Sequence, residues 1–298
     1  MSSDTQEYLE LSGINGAEPT DALLSEQAFP ILKGLSPLSL RILNDASQVI
    51  QVSKGVEMLH EGDTSRELCF VKQGKMVIAK KVGDQTKVLT QLKTGDVYGE
   101  FGILRKKLRY TSVYTAQASE VIRVELSAVQ QVLDADPHFK VHLQDLLCQR
   151  VLDSYLFSHP IFQSLPSEKR MELSNKLSIH FHHHGERLFK QGDKPNGVHL
   201  IISGEVEVYY LNRNREDILL EVRRDNDLLG ELAAKNGEAL AYSANATSDL
   251  DVLLLTPTSM KLIRETHLET FKKLEQYINK RAERTVARLK EDNHQTNI

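Results

Sequence analysis

The sequence predicts an α+β protein built from two tandem antiparallel β-rolls, jelly-roll-like, each flanked by helices and followed by a long C-terminal helix. Three observations predict it. Landmark residues repeat: Pro30 and Pro160, Leu35 and Leu165, Gly55 and Gly185, Gly62 and Gly192, and Gly74 and Gly204 all stand 130 residues apart. Gly99 and Gly230 stand 131 apart, which implies one inserted residue between Gly204 and Gly230. Each copy also carries short apolar segments separated by glycine-containing turns, the pattern of antiparallel strands rather than of βα units. Finally, apolar residues recur at helical spacing after each set of strands. The period is too long for a solenoid repeat, so each copy is expected to be its own domain. At about 130 residues, a copy can bury roughly two-thirds of its chain surface.

Taken in order, residues 1–28 form an N-terminal tail expected to be flexible, with Met1–Asp21 the most frayed. The first roll spans 29–158 and the second 159–298. Helices are predicted at Leu38–Ala46 and Ser167–Leu177, with Pro37 and Pro166 near their starts, where a missing N–H costs little. Strands follow at Val49–Val52, Leu68–Val71, Met76–Lys81 and Val88–Leu92, punctuated by Gly62-Asp63, Gly74-Lys75 and Gly83-Asp84. The second copy repeats them at Leu200–Ile202, Val206–Leu211 and Ile218–Val222. Asp136-Pro137 separates helix Leu126–Leu133 from helix His138–Phe157. Thr258–Lys290 is predicted as one long helix, with an apolar stripe of Phe271, Leu274, Ile278, Ala282, Val286 and Leu289. That stripe packs on its own roll or serves a homodimer or a partner helix.

Composition narrows the function classes. The formal net charge is −4, from 37 basic and 41 acidic residues, which argues against direct DNA binding or a basic membrane-surface protein. No apolar run approaches the ~18 residues of a membrane span. The N-terminus lacks the charged-then-apolar order of a signal peptide. Cys69 and Cys148, both among apolar neighbours, are expected to be reduced core residues, which places the chain in a cytoplasmic, reducing compartment.

The chemistry concentrates between Gly95 and Val113. Gly99 permits close backbone approach, and Glu100 is a fixed acceptor suited to a hydroxyl. Phe101–Leu104 is expected to form one helical turn, whose N–H groups attract an anion. Arg109 can fork onto phosphate or carboxylate oxygens. A hydroxyl acceptor, an amide nest and an arginine within fifteen residues suit a sugar phosphate.

This segment resembles the phosphate-binding cassette of cyclic nucleotide-binding domains, the family that includes the catabolite activator protein and the regulatory subunits of cyclic-AMP-dependent protein kinase. Tyr98, Gly99, Glu100, Phe101, Gly102, Ile103 and Leu104 follow the cassette in order, and Arg109 falls nine residues after the glutamate. Leu108 replaces the family's usual proline, and the earlier glycines match Gly55, Gly62 and Gly74. The resemblance implies that Glu100 accepts from the ribose 2′-hydroxyl, that Arg109 pairs with the cyclic phosphate, and that amides near Gly99–Ile103 complete the site. The ligand would be cyclic AMP or cyclic GMP. Members preferring cyclic GMP often place Thr or Ser directly after the arginine; here Tyr110 follows, with Thr111 next, which favours cyclic AMP. Tyr155 and Phe157 are candidates to cap the base or, alternatively, to fill the core between the rolls.

The second copy keeps Gly230, Glu231, Leu232 and Ala233, but Leu240 stands where the arginine belongs and Ala239 where the proline does. Arg224 is no obvious substitute, because Lys93 holds the same offset in the first copy. An uncompensated phosphate costs several kcal/mol to desolvate, roughly as any buried ion does. The second site is therefore expected to be degenerate and not to bind a cyclic nucleotide in the usual way, serving instead as a structural partner or accepting an uncharged nucleoside-like ligand.

The sequence thus points to a non-enzymatic cyclic nucleotide sensor with no catalytic residue, no cofactor and no metal. Ligand binding in the first roll would be relayed along His138–Phe157 and through the second roll to an unidentified effector protein. One alternative is a ligand-independent double-roll scaffold. Another is a metal-dependent, cupin-like enzyme using His180, His182 and Glu186, but the first copy has nothing like these ligands. No helix-turn-helix pattern follows the second roll. Residues 1–28 contain no arginine, so kinase inhibition through an Arg-Arg-x-Ser/Ala segment is not expected.

Overall fold

A computed structural model describes residues 22–82, 84–105, 109–212 and 214–295. Met1–Asp21, expected to be frayed, Gly83, expected in a turn, and Leu108 at the proline position lie outside the described residues. The chain divides into two compact units, Met1–Gln144 and Asp145–Ile298.

Unit 1 begins earlier than the sequence suggested. Leu24 is buried, and Asn44 accepts its N–H and donates to its carbonyl, each at 2.9 Å. Residues from Leu24 onward are therefore docked, which shortens the tail expected through residue 28. Helix α1 (Pro37–Asp45) starts where Ser36 Oγ accepts from the Ser39 N–H at 3.1 Å and Pro37 presets the first turn.

Eight strands follow: β1 (Ser47–Val52), β2 (Glu57–Leu59), β3 (Leu68–Gln73), β4 (Lys75–Val82), β5 (Gln85–Lys93), β6 (Val97–Tyr98), β7 (Ser112–Thr115) and β8 (Ser119–Val124). Between β6 and β7 lies α2 (Glu100–Leu104). The strands form two four-stranded antiparallel sheets, in the orders β1-β8-β3-β6 and β2-β7-β4-β5. Between them Cys69, Val71, Met76, Ile78, Leu92, Val113 and Val121 make one apolar core.

Helix α3 (Leu126–Ala135) ends at Asp136, which the following proline forces into extended backbone. Asp136 accepts the N–H groups of Ser36 (3.1 Å) and His138 (3.2 Å), so it ties α1 to the start of α4 (Pro137–Ser158). The division between the units falls inside α4, ahead of the residue 158 boundary read from sequence.

Unit 2 repeats the plan. Helix α5 (Ser167–Ser174) precedes β9 (Ser178–His182), β10 (Arg187–Phe189), β11 (Val198–Ser203), β12 (Val206–Leu211), β13 (Asp217–Arg223) and β14 (Leu228–Leu229). Then come α6 (Glu231–Asn236), β15 (Ser243–Ala246) and β16 (Leu250–Leu255). The sheets run β9-β16-β11-β14 and β10-β15-β12-β13, the orders of unit 1 shifted by eight strands. Alternation along β12 sends Val206, Val208 and Tyr210 into the core, as a half-buried strand should.

The region Thr258–Lys290 is two helices, not one: α7 (Pro257–Thr266) and α8 (Leu268–Gln295). His267 breaks them with φ −142° and ψ 58°. Its N–H closes α7 on Ile263 and its carbonyl opens α8 by accepting from Phe271. Neither proline nor glycine marks this break. Leu274, Ile278 and Ala282 are buried, and Leu289 packs against the core of unit 2, so most of the stripe is spent within that unit. Val286 is exposed.

Among the described residues no helix is long and apolar enough to cross a membrane. Cys69 is fully buried, whereas Cys148 is half-buried rather than a core residue.

Candidate functional site

The first cassette is shaped by two close backbone approaches. Gly99 caps α2 in the left-handed region, with φ 103°. A Cβ there would lie 2.0 Å from the Glu67 carbonyl oxygen, so only glycine fits. Gly102, the third residue of α2, makes the second close approach. A Cβ there would sit 2.6 Å from the Ser65 carbonyl oxygen and 3.1 Å from Arg109 Nη2.

These approaches bring Glu100 and Arg109 into one buried site, 4% and 5% exposed. Arg109 donates through Nε to Ser65 Oγ (3.1 Å) and through Nη2 to the Ser65 carbonyl (2.7 Å), with a longer Nη1 contact to the Gly99 carbonyl (3.4 Å). Burial pulls the guanidinium pKa below its ordinary value, and the Glu100 and Glu67 carboxylates oppose that pull. A buried cation near a carboxylate is an arrangement that an anion bearing a hydroxyl group can complete.

Of the other predicted residues, Phe101 and Ile103 are buried beneath the helical turn. Tyr110 packs against Phe101 with ring centroids 4.6 Å apart, and Lys80 Nζ lies 5.4 Å above its ring. Thr111 is half-buried just before β7. Tyr155 belongs to unit 2, where its hydroxyl approaches the Ile201 carbonyl at 3.5 Å and its ring lies 5.1 Å from His159. Phe157 lies under the Arg170 guanidinium, 4.8 Å from its ring centroid.

The second cassette has the same frame. Gly230 caps α6 at φ 78°, and Glu231, Leu232, Ala233 and Leu240 are buried. Its glutamate is engaged by the protein itself. Glu231 and Arg223 are both 0% exposed and pair through two contacts, Nη1–Oε2 at 2.9 Å and Nη2–Oε1 at 3.1 Å. The Tyr242 hydroxyl donates to Oε2 at 2.5 Å and accepts the Gly230 N–H at 2.7 Å. From α8, Thr285 Oγ1 donates to Oε1 at 2.6 Å and accepts from Arg223 Nη2 at 2.8 Å. Burial would raise the Glu231 carboxyl, but the Arg223 charge and these hydrogen bonds hold it below the carboxylate range.

Sequence reading missed Arg223 and Tyr242. It tested Arg224, one residue along, which is exposed and pairs with Glu205 at 2.6 Å. The signal available was the repeat offset: 131 residues earlier stand Leu92 and Thr111, neither of which can play these parts.

The metal-ligand reading finds no support in side-chain placement. His182 Nδ1 pairs with Glu186 at 2.8 Å, and among the described residues no three His, Cys, Asp or Glu side chains gather around a point that could hold an ion.

The chain resembles several known proteins. It is 23% identical over 220 residues to the cAMP-dependent protein kinase type II regulatory subunit of Drosophila melanogaster, covering 73% of this chain and 54% of the relative. It is 26% identical over 238 residues to cGMP-dependent protein kinase, isozyme 1, of the same organism, covering 77% of this chain and 29% of the relative. The chain thus spans about half or less of these relatives' lengths. Among solved structures, the regulatory domain of Toxoplasma gondii PKA with cAMP aligns over 94% of this chain and 98% of that one, with 19% identity and a TM-score of 0.39. The sequence model of the cyclic nucleotide-binding domain matches residues 49–136 and 180–267, one stretch in each roll, and the chain therefore belongs to the cyclic nucleotide-binding domain family, with two such domains in tandem.

Proposed function

We propose that the chain is a non-enzymatic cyclic nucleotide sensor that binds one ligand, in its first domain, and acts through a partner protein. The observation that carries this reading is the burial, inside the first cassette, of Glu100 and of an Arg109 held by Ser65. An exposed ion pair is worth about 0–1 kcal/mol and would not demand such a built site. Buried, the arginine is costly unless an anion completes it. Glu100 would accept from the ribose hydroxyl and Arg109 would donate to the cyclic phosphate. Tyr110 directly after the arginine favours cyclic AMP over cyclic GMP.

The 22-residue helix α4 begins directly after α3 of the first domain and continues past the division between the units, so it is the natural path for a signal. The relatives include a regulatory subunit of a protein kinase, which supports a kinase or kinase-like partner.

Calorimetric titration of the full chain with cyclic AMP and cyclic GMP tests the reading. One cyclic AMP per chain is expected, with at least about tenfold weaker binding in Arg109→Ala, as loss of a charge-assisted hydrogen bond implies. No heat with either nucleotide from ligand-free protein would favour the scaffold reading. Small-angle scattering that is identical with and without bound ligand would remove the conformational relay.

A further inference from the structure

We propose that Arg223 and Tyr242 close the second domain to nucleotides by acting as a built-in occupant of its ribose acceptor. The proposal rests on the reading of Glu100 as the ligand's acceptor in the first domain, since Glu231 is the matching residue.

A carboxylate offers about four acceptor positions, two on each oxygen. On Glu231 all four are taken. Oε1 accepts from Arg223 Nη2 and Thr285 Oγ1, and Oε2 accepts from Arg223 Nη1 and the Tyr242 hydroxyl. A ribose hydroxyl would find no lone pair to donate to. The first amide of the cassette is spent as well, because Gly230 donates its N–H to Tyr242. Displacing this set would leave a guanidinium that is 0% exposed with Glu221 as its one remaining carboxylate.

The repeat shows how the closure is encoded. At the matching offset the first domain has Leu92, a buried core residue with no donor, and Thr111, too short to reach as Tyr242 does. Three replacements therefore separate the domains: Leu92 by Arg223, Arg109 by Leu240, and Thr111 by Tyr242. The positive charge has moved from the phosphate position to the ribose position. The occupant is anchored from a third direction by α8, through Thr285 and through Arg281, whose Nη2 donates to Glu221 at 2.6 Å.

Two measurements on the full chain test this. Melting of the ligand-free protein reads the occupied carboxylate. Glu231→Gln keeps the shape but removes one of the two carboxylates that neutralise buried Arg223, so the melting temperature of the second domain should fall on the order of 10 °C. Arg223→Gln combined with Glu231→Gln should recover part of that loss, which keeps the test open if the single variant folds poorly. A melting temperature unchanged in Glu231→Gln would overturn the proposal.

Counting bound radiolabelled cyclic AMP reads the closure. Wild type and Glu231→Gln should each bind one per chain. The variant Arg223→Leu/Leu240→Arg/Tyr242→Thr should bind two. Two per wild-type chain overturns the proposal, as does one per folded triple variant whose first-site affinity is unchanged. If wild type binds none, the reading of the first domain fails, while the melting comparison still decides whether Glu231 is internally occupied.

Discussion

Ser65 holds Arg109 by two different atoms: its Oγ accepts from Nε at 3.1 Å and its carbonyl oxygen accepts from Nη2 at 2.7 Å. Together they fix the guanidinium plane. Ser65→Ala removes only the hydroxyl contact. Cyclic AMP affinity should fall about three- to tenfold, the range of one hydrogen bond. Adenosine, which lacks the phosphate, should bind the variant as it binds wild type. Parallel titrations decide this, and an equal loss for both ligands would mean that Ser65 supports the fold rather than the arginine.

The glycines of the first domain are not equivalent. Gly99 and Gly55 both have positive φ, 103° and 86°. A Cβ at Gly55 meets nothing within 4 Å, whereas one at Gly99 meets the Glu67 carbonyl at 2.0 Å. Gly55→Ala should cost about 1–2 kcal/mol, the conformational penalty alone. Gly99→Ala should cost clearly more and should abolish cyclic nucleotide binding. Chemical denaturation of both variants checks the ordering.

The second domain should be sensitive to acid. His159 and His199 are buried, and burial lowers the pKa of each from 6.5 to about 4. The unfolded chain therefore binds protons that the folded chain does not between pH 6.5 and about 4. Stability contributed by the neutral rings is intact above pH 6.5 and is lost as the pH falls through this window, on the order of 3 kcal/mol per histidine by pH 4. Thermal melts across pH 4–7.5 should show the loss, and it should shrink in His159→Gln. A flat profile would contradict the burial of these rings.

The two cysteines should separate by reactivity. Burial pushes the Cys69 thiol up to about 12, and Cys148 is half-buried on α4. A thiol reagent at pH 8 should modify one cysteine in the native chain and both in denaturant. Labelling followed by peptide mapping should place the native label on Cys148.

Much of this architecture was legible in the sequence. The repeat offset of Gly55, Gly62 and Gly74 marked turns that all take positive φ, and Pro37 and the Asp136-Pro137 pair marked helix boundaries within a residue. That Glu100 and Arg109 come together was legible because both lie on one short stretch of chain. What was not legible depends on contacts distant in sequence. Arg223 and Glu231 are close, but Tyr242 and Thr285 reach Glu231 only through β15 and α8, and no local pattern announces them. Strands β7 (Ser112–Thr115) and β8 (Ser119–Val124) were missed because the glycine turns that delimited the earlier strands stop at Gly102. The break at His267 was missed because the residue is neither a helix breaker nor a turn former.

Helix α8 is fastened to the second domain at three successive turns. Tyr277 donates to the Asn226 carbonyl, Arg281 pairs with Glu221 and Asp227, and Thr285 reaches Glu231. A fragment of this protein that stopped before Tyr277 would keep every strand of the second roll, yet Glu221 and Asp227 would lose Arg281 as a counter-charge and the Arg223–Glu231 pair would open to water. The smallest self-sufficient piece of the second half therefore extends through at least Thr285. Proteolytic trimming from the C-terminal end should stall near that residue for as long as the roll stays folded.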